Sequence, residues 1–509
     1  MRPVLTSDDL RKGDAWTIAN EPISSIALME RAATACTGRI LEYFASHQDG
    51  KPPVVVFAGM GNNGGDGLVI ARQLKAAGIA VRVVRVKQRA TASADNEANW
   101  SAASEAGVPC AEIEALAETP LVLPGEVVID ALFGTGLRGP LTGLATDVVR
   151  AINASGQPVI AIDVPSGLMT EDNADRDPSA IIRAVITLTF QVPKLAFLLA
   201  DSAQYVGEWE VLPIGLDEGF ITGIAAPYHV TEGADIASLL PAREHFAHKG
   251  SFGHAMLITG STGKMGAAIL SARAATRSGV GLVTVHVPGG GLPILQSAVP
   301  EAMGSADPDP DRITSLPVLS GMTAVGIGPG LGTAEDSQQV VKKVLQFAVC
   351  PIVVDADGLN AIAANPTWGA FLPTGTILTP HPKEFDRLAG KPSTSSYDRL
   401  LRCRELAQRW RCHIVLKGAW TAICDPNGKV FFNPAGNPGM AKGGSGDALT
   451  GLLAGLLAQG LDPLRACLVG AYVHGLAGDL AAERQGMDGM TVSDLIESLP
   501  AAWQQLRDL

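Results

Sequence analysis

Fifteen residues near the C-terminus restrict what this chain can fold into more than any other stretch: Asn437-Pro438-Gly439-Met440-Ala441-Lys442-Gly443-Gly444-Ser445-Gly446-Asp447-Ala448-Leu449-Thr450-Gly451. Five of them are glycine. From Leu449 the apolar residues recur at Leu452, Leu453, Leu456 and Leu457, the spacing of a helix with one buried stripe. Gly460-Leu461-Asp462-Pro463 closes that helix. A glycine-rich backbone can turn several N–H groups, those of Gly444, Ser445 and Gly446 among them, toward one point. The positive end of the helix lies behind that point, so the loop reads as an anion site. A carboxylate at Asp447 is electrostatically out of place there unless it has work to do. Beside a phosphoryl group in transfer it can take the proton from an attacking hydroxyl. The plainer role, a helix N-cap, accounts for the aspartate but not for the glycines.

A chain of 509 residues exceeds one ordinary core, and two domains are expected. The 57 glycines and 47% hydrophobic content suit α/β domains with many tight strand-to-helix turns. A net charge of −12 without a Lys/Arg cluster argues against nucleic acid as the main partner. Seven scattered cysteines without a C-x-x-C pair point to reduced thiols in a cytoplasm. The first residues are charged, unlike a signal peptide. The most apolar run, 184–200, is broken by Gln191, Pro193 and Lys194, so no membrane span is expected.

In the N-terminal half a helix is expected over 23–44 and an apolar strand over 53–58. Gly59-Met60-Gly61-Asn62-Asn63-Gly64-Gly65-Asp66-Gly67 follows as a loop, and a helix begins near Leu68. Strand, glycine loop, helix brings backbone N–H groups to a phosphate. The spacing is not that of the dinucleotide fingerprint G-x-G-x-x-G. Paired asparagines can serve a ribose, a phosphate or a metal ion, or simply occupy left-handed turn positions. Two more strands, 127–133 and 158–163, end in Gly134-Thr135-Gly136-Leu137-Arg138-Gly139-Pro140 and Val164-Pro165-Ser166-Gly167. In an open parallel sheet such ends meet at a switch of strand order, so Asn63, Asp130, Asp163 and Ser166 are expected to converge.

GNNGGDG, VIDALFGTGLRGP, IDVPSG and TFQVPKLAFLL, in this order, resemble the epimerase domain of the NAD(P)H-hydrate repair proteins. The resemblance implies a Rossmann-like domain over residues 1–225 that interconverts the R and S hydrates and holds a potassium ion. Carried over by position, substrate contacts are Asn62, Asn63, Gly64, Gly65 and Asp66, then Gly134, Thr135, Gly136, Leu137, Arg138, Gly139 and Pro140, and Asp163. Potassium ligands are Asn63, Asp130 and Ser166, oxygen donors of the kind a hard cation takes. Asp163 is the candidate acid/base for opening or loss at the hydroxyl-bearing ring carbon.

The C-terminal half offers strands over 255–259, 282–287, 324–327, 352–355, 376–378 and 413–416, each closing on small or polar residues. One doubly wound parallel sheet is expected, with functional loops on one edge. Gly260-Ser261-Thr262-Gly263-Lys264-Met265-Gly266 fails as a P-loop, because the spacing is short and Met265 replaces the required hydroxyl. His381 with Glu384 makes too few ligands for zinc, and a structural role for His381 is as good. Lys417 is a phosphate contact or a solvated strand end; Gly418 and Thr421 favour the contact.

HKGSFGHAMLITGS, GIGPGLG, DADGLN, TPHPKE, LKGAWT and NPGMAKGGSGDALTG resemble the ADP-dependent NAD(P)H-hydrate dehydratases of the ribokinase-like superfamily, over most of residues 245–460. The resemblance implies a dehydratase domain over 226–509. Lys417, Gly418, Ala419, Trp420, Thr421 and Gly446 would contact the adenine nucleotide, with a magnesium ion alongside it. Ala267, Gly330, His381 and Asp447 would contact the hydrated substrate. Lys442 departs from the threonine expected there. The implied reaction moves a phosphoryl group from ADP to the S-hydrate hydroxyl. Phosphate is then lost, giving NADH or NADPH, with AMP as the other product. Two rival readings share these residues: a small-molecule kinase with a stable phosphorylated product, and a non-catalytic scaffold role for the N-terminal domain. The expected assembly is a homo-oligomer whose partners are small molecules.

Overall fold

The computed structural model describes residues 1–47, 51–88, 90–116 and 122–509. The chain separates into two compact units, Pro3–Ala226 and Pro227–Leu509, with Met1–Arg2 grouped with the second. Among the described residues no helix is long and apolar enough to cross a membrane.

The N-terminal unit is built on seven parallel strands in the spatial order Cys110–Ile113, Val81–Val86, Val54–Ala58, Val127–Ala131, Val159–Ile162, Ile186–Phe190 and Glu208–Leu212. Strand order reverses between Val54–Ala58 and Val127–Ala131, where Phe57 lies opposite Asp130. Both strands are buried along their whole length, as sheets covered on two faces require. The crevice at their carboxyl ends is where an open sheet binds a ligand.

One expectation is corrected here. The asparagine-glycine stretch is not a loop before a helix at Leu68; the helix itself runs Asn62–Ala76, with Gly61 at its N-cap. The turn is only Gly59 to Gly61. Contact distances explain why a glycine-poor helix could not sit there. A Cβ on Gly64 would lie 1.9 Å from the Gly59 carbonyl oxygen, and one on Gly67 would lie 2.5 Å from the Ala131 Cβ. Glycine propensity is poor for a helix, and close packing on the sheet overrides it. Neither Asn62 nor Asn63 has a positive φ, which removes the left-handed-turn reading.

The C-terminal unit contributes ten strands to its sheet, in the order Tyr228–Val230, Val430–Asn433, Thr421–Cys424, His413–Leu416, Ile377–Leu378, Ile352–Val354, Ala324–Ile327, His254–Ile258, Leu282–Val287 and Met303–Ala306. The reversal of order lies between Ala324–Ile327 and His254–Ile258. The sheet is mixed rather than wholly parallel: Thr421–Cys424 runs antiparallel to both of its neighbours. Four residues, Lys417 to Trp420, separate it from His413–Leu416, too short a link for a parallel crossover.

The glycine-loop helix spans Ser445–Ala458, and every residue from Ala448 to Ala458 is buried. It therefore lacks the solvent-facing side that a single apolar stripe implied. Its glycines explain the difference: a Cβ on Gly451 would stand 1.9 Å from the Ser271 carbonyl oxygen of helix Met265–Thr276. The two helices meet backbone to backbone. Its five leucines are each at most 4% exposed, a gross burial of roughly 10 kcal/mol at about 2 kcal/mol per side chain. The glycine loop thus hangs from one of the most firmly held elements of the unit.

Candidate active sites

In the N-terminal unit Asp163 follows the strand Val159–Ile162 with a left-handed φ of 66°, a strained position for any residue with a Cβ, though aspartate tolerates it better than most. Its Oδ2 accepts the Thr135 N–H at 2.9 Å; its Oδ1 lies 3.4 Å from both Thr189 Oγ1 and Lys194 Nζ. Gly134 sits in the gap between them. A Cβ there would be 2.6 Å from Asp163 Oδ2 and 3.2 Å from Asn63 Oδ1. Asn63, Gly134, Thr135 and Asp163 therefore form one cluster at the switch of strand order.

Sequence reasoning missed two groups beside them, Lys194 and Asp14, and saw a third, Asp66, in another role. Lys194 is fully buried; its Nζ also donates to the Phe190 and Val192 carbonyls at 2.5 and 3.1 Å. Burial pulls its ammonium down in pKa, and the Asp163 charge opposes this. Asp14 is pushed up to about 6 by burial first and then by the Asp163 charge, with Lys194 opposing. Asp66, expected only as a substrate contact, is driven well above the ordinary range by burial, then by Asp163 and Asp14. Asp14 and Asp66 thus feel the Asp163 charge as well as burial, and a neighbouring negative charge disfavours ionising either of them. The signal for Lys194 was present: a lone charge inside the apolar run 184–200 must find a partner.

The expected cation ligands lie against the same turn. Asp130 is fully buried and accepts from the Ser166 N–H at 2.8 Å, the Ser166 hydroxyl at 2.7 Å and the Leu132 N–H at 3.2 Å. Burial, only partly offset by those bonds, raises it to about 6. Ser166 Oγ receives the Phe133 N–H at 2.9 Å. Both polar atoms of the Asn63 amide are buried without a hydrogen-bond partner among the described residues. An orphaned buried amide beside a serine hydroxyl and a carboxylate is a donor set that fits a hard monovalent cation. The rest of the 134–140 loop is more open. Arg138 is exposed and pairs with Asp8 at 2.7 Å, and nothing crowds Gly136 or Gly139. Gly64 and Gly65 pack against Gly59 and Met29, and Asn62 is exposed.

In the C-terminal unit Gly444, at φ 100°, holds the N-cap position of its helix, so Asp447 is not the cap. No hydrogen bond from a described residue ends on the Asp447 carboxylate. Burial first, then the neighbouring Asp355 charge, raise it to about 6, with Lys417 opposing. The loop is braced from behind. Ser271 Oγ donates to the Asp447 carbonyl at 2.9 Å, and His474 Nε2 lies 3.0 Å from the Ser445 carbonyl, which can only accept. Burial draws His474 down to about 4, so it braces the loop as a neutral ring.

Asp355, which sequence reasoning saw only as a strand end, is the hub of this site. Its Oδ1 takes Lys417 Nζ at 2.9 Å and its Oδ2 takes Thr450 Oγ1 at 2.9 Å. Burial opposes its charge, but the Lys417 ammonium and the hydrogen bonds hold its pKa below the usual range. A Cβ on Gly446 would meet Lys417 Nζ at 3.1 Å and Asp355 Oδ2 at 3.2 Å, so Gly446 keeps the lysine against the loop. Thr421 Oγ1 donates to the Gly418 carbonyl at 3.0 Å and shapes the Lys417–Thr421 turn, in which Gly418 and Ala419 are exposed and Trp420 is half-buried.

His381 has the structural role allowed for it: its Nδ1 accepts the Lys383 and Glu384 N–H groups, capping helix Pro382–Leu388, while Glu384 Oε2 accepts the His381 N–H at 2.9 Å. Burial lowers its pKa, with the Glu384 charge opposing, and its Nε2 lies 3.5 Å from Glu384 Oε1. Ala267 and Gly330 face each other, a Gly330 Cβ falling 3.0 Å from the Ala267 Cβ. Lys264 and Asp357, 3.4 Å apart and also unforeseen, line the same edge.

Comparisons with known proteins agree with this layout. The NAD(P)H-hydrate dehydratase family profile matches residues 255–501, and the profile described as YjeF-related protein N-terminus matches residues 25–196. A bifunctional NAD(P)H-hydrate repair enzyme of Moorella thermoacetica is 36% identical over 99% of this chain and 97% of its own length. Its counterpart in Coxiella burnetii is 38% identical over 94% of each. The solved structure of a ribokinase-like superfamily protein from Enterococcus faecalis V583 is 27% identical with a TM-score of 0.50, covering 56% of this chain and 98% of that one. The chain belongs to the family of bifunctional NAD(P)H-hydrate repair enzymes.

Proposed function

We propose that this chain repairs hydrated NADH and NADPH. The N-terminal domain, to about residue 225, interconverts the R and S hydrates, and the remainder dehydrates the S form with ADP. The observation that carries the reading is the half-buried Asp447, its carboxylate without a hydrogen bond from a described residue, in the first turn behind a left-handed Gly444, with the Lys417–Asp355 pair under Gly446.

In the dehydratase site the Asp447 carboxylate takes the proton of the ring hydroxyl as its oxygen attacks the terminal phosphoryl group of ADP. The N–H groups of Gly444, Ser445 and Gly446 hold the phosphoryl oxygens, each worth about 3 kcal/mol in the transition state. The bond to the AMP oxygen breaks. Phosphate then leaves the ring carbon with the C–O electrons, and the adjacent carbon gives up a proton to restore the dihydronicotinamide. Lys417 to Thr421 hold the nucleotide; Ala267, Gly330 and His381 hold the hydrated ring. Magnesium would travel on the phosphates, since Asp355 and Glu384 are committed to Lys417, Thr450 and the His381 N–H.

In the epimerase site Asp163, with Lys194 Nζ 3.4 Å from its carboxylate, takes the hydroxyl proton as the hydroxyl-bearing carbon releases the ring nitrogen, which is protonated in turn, and reclosure on the other face gives the other epimer. Asn62 to Asp66 and Gly134 to Pro140 bind the substrate. A potassium ion on Asn63, Asp130 and Ser166 would supply positive charge beside the Gly134 turn.

The deciding experiment incubates the full chain with mixed R and S hydrates and ADP while following reduced-nicotinamide absorbance. Recovery of the whole pool supports both activities. Arrest once the S form is consumed removes the epimerase, and a persisting phosphate ester replaces the dehydratase with a kinase.

A further inference from the structure

Lys442 stands one residue before Gly443 in the anion loop, yet its ammonium does not face the loop's N–H groups. It donates to three backbone carbonyls: Asp488 at 2.9 Å, Met487 at 3.3 Å and, closest, Met490. These carbonyls belong to the link between helix Pro463–Gln485 and helix Val492–Arg507. The link and the start of the helix after it each touch the loop once more. A Cβ on Gly439 would fall 2.8 Å from the Met487 oxygen, and one on Gly444 would fall 3.5 Å from Val492 Cγ2. Its far end is fixed, because the Thr491 N–H and hydroxyl both donate to Asp494, at 2.7 and 2.6 Å.

Three carbonyl dipoles with their negative ends on one point form a seat for a monovalent cation, the same chemistry by which carbonyl rings hold potassium. Left bare, they repel one another and the link relaxes. Gly444, packed on Val492, would then move with it and take the phosphate-facing N–H groups out of line. We propose that Lys442 is a tethered cation: its ammonium fills a carbonyl seat that holds the phosphate loop in register, so dehydration by this chain needs no dissolved monovalent cation. Lys442 is a positioning residue, acting through Gly444. The inference rests on the reading of Gly444 to Gly446 as the phosphate holders.

The test uses the full chain, pure S-hydrate, ADP and magnesium, so that the epimerase does not contribute. Wild type, Lys442→Ala and Lys442→Met are assayed at equal ionic strength in choline, lithium, potassium or ammonium chloride. Wild-type turnover stays level across the four salts. Lys442→Ala loses at least about tenfold in choline or lithium, the scale of a small misalignment of reacting groups. Potassium or ammonium, which fit the vacated seat, restores most of it. Lys442→Met is as slow as the alanine variant and is not rescued, because its side chain blocks the seat without a charge. Three results overturn the proposal: full Lys442→Ala turnover in choline, equal loss in all four salts, or a wild type that itself requires potassium. Asp447→Asn is run alongside. If that variant keeps its turnover, the failure belongs to the phosphate-site reading and not to the cation seat.

Discussion

Asp447→Asn isolates the chemistry of the dehydratase site from its architecture. The amide has the carboxylate's shape, so Gly444 at the cap and the Ser271 and His474 braces, which act on backbone carbonyls, are untouched. The proton acceptor alone is lost. A positioned general base contributes roughly 10²- to 10⁴-fold, which at 1.36 kcal/mol per decade is about 2.7 to 5.4 kcal/mol of barrier. We expect kcat for S-hydrate dehydration to fall by at least about a hundredfold. ADP affinity by calorimetry should hold or tighten slightly, because a negative charge near the phosphates has gone. The pH profile provides a second reading. With Asp447 raised to about 6, the base is ionised above that pH and protonated below it, so wild-type kcat falls as pH drops through about 6. The residual activity of Asp447→Asn lacks this limb. Asp355→Asn, which removes the second-largest cause of the elevation, moves the limb to lower pH. A variant Asp447→Asn within tenfold of wild type, or a wild-type profile flat through the weakly acid range, would refute the assignment.

Lys194→Met should slow R-to-S interconversion by at least about a hundredfold while S-hydrate dehydration continues, so recovery from a mixed pool stops once the S form is used. Asn63→Ala removes the orphaned amide and should raise the potassium concentration for half-maximal epimerisation roughly ten- to a hundredfold, read by salt titration with choline as the balance. Gly64→Ala forces a Cβ to within 1.9 Å of the Gly59 oxygen and should lower stability by about 1 to 3 kcal/mol or more in denaturant unfolding. Gly136→Ala, where nothing lies within 4 Å, is the near-neutral control.

What the sequence revealed and what it hid follow one physical line. Strand ends and helix starts were legible because apolar runs and glycines are local signals, and Asp130, Asp163 and Asp447 stand directly beside them. The extent of the helix Asn62–Ala76 was not, because its glycines are set by a sheet surface that no local window contains. The antiparallel Thr421–Cys424 strand was lost for a related reason: its four-residue approach was read only as a binding turn. Lys194 and Asp355 were missed because each gains its meaning from a partner far away in sequence. Asp163 lies 31 positions from Lys194, and Lys417 lies 62 from Asp355.

Those two distant pairs give the sites a common logic with different consequences. Each sets a lysine ammonium on an aspartate at a strand's carboxyl end, beside a helix start built of glycine. Lys194 is wholly buried and bears on the site through the carboxylates beside it, Asp163 first and then Asp14. The Lys417 side chain is 23% exposed and borders Gly446, so its ammonium can be shared between Asp355 and an arriving phosphate. Desolvation strengthens the field of both lysines, but the buried one is enclosed by Asp163 and the Phe190 and Val192 carbonyls. The exposed one can follow charge as it moves from nucleotide to acceptor, the need of a phosphoryl transfer. Under the proposed assignment, this difference in burial is what distinguishes the isomerising site from the transferring one.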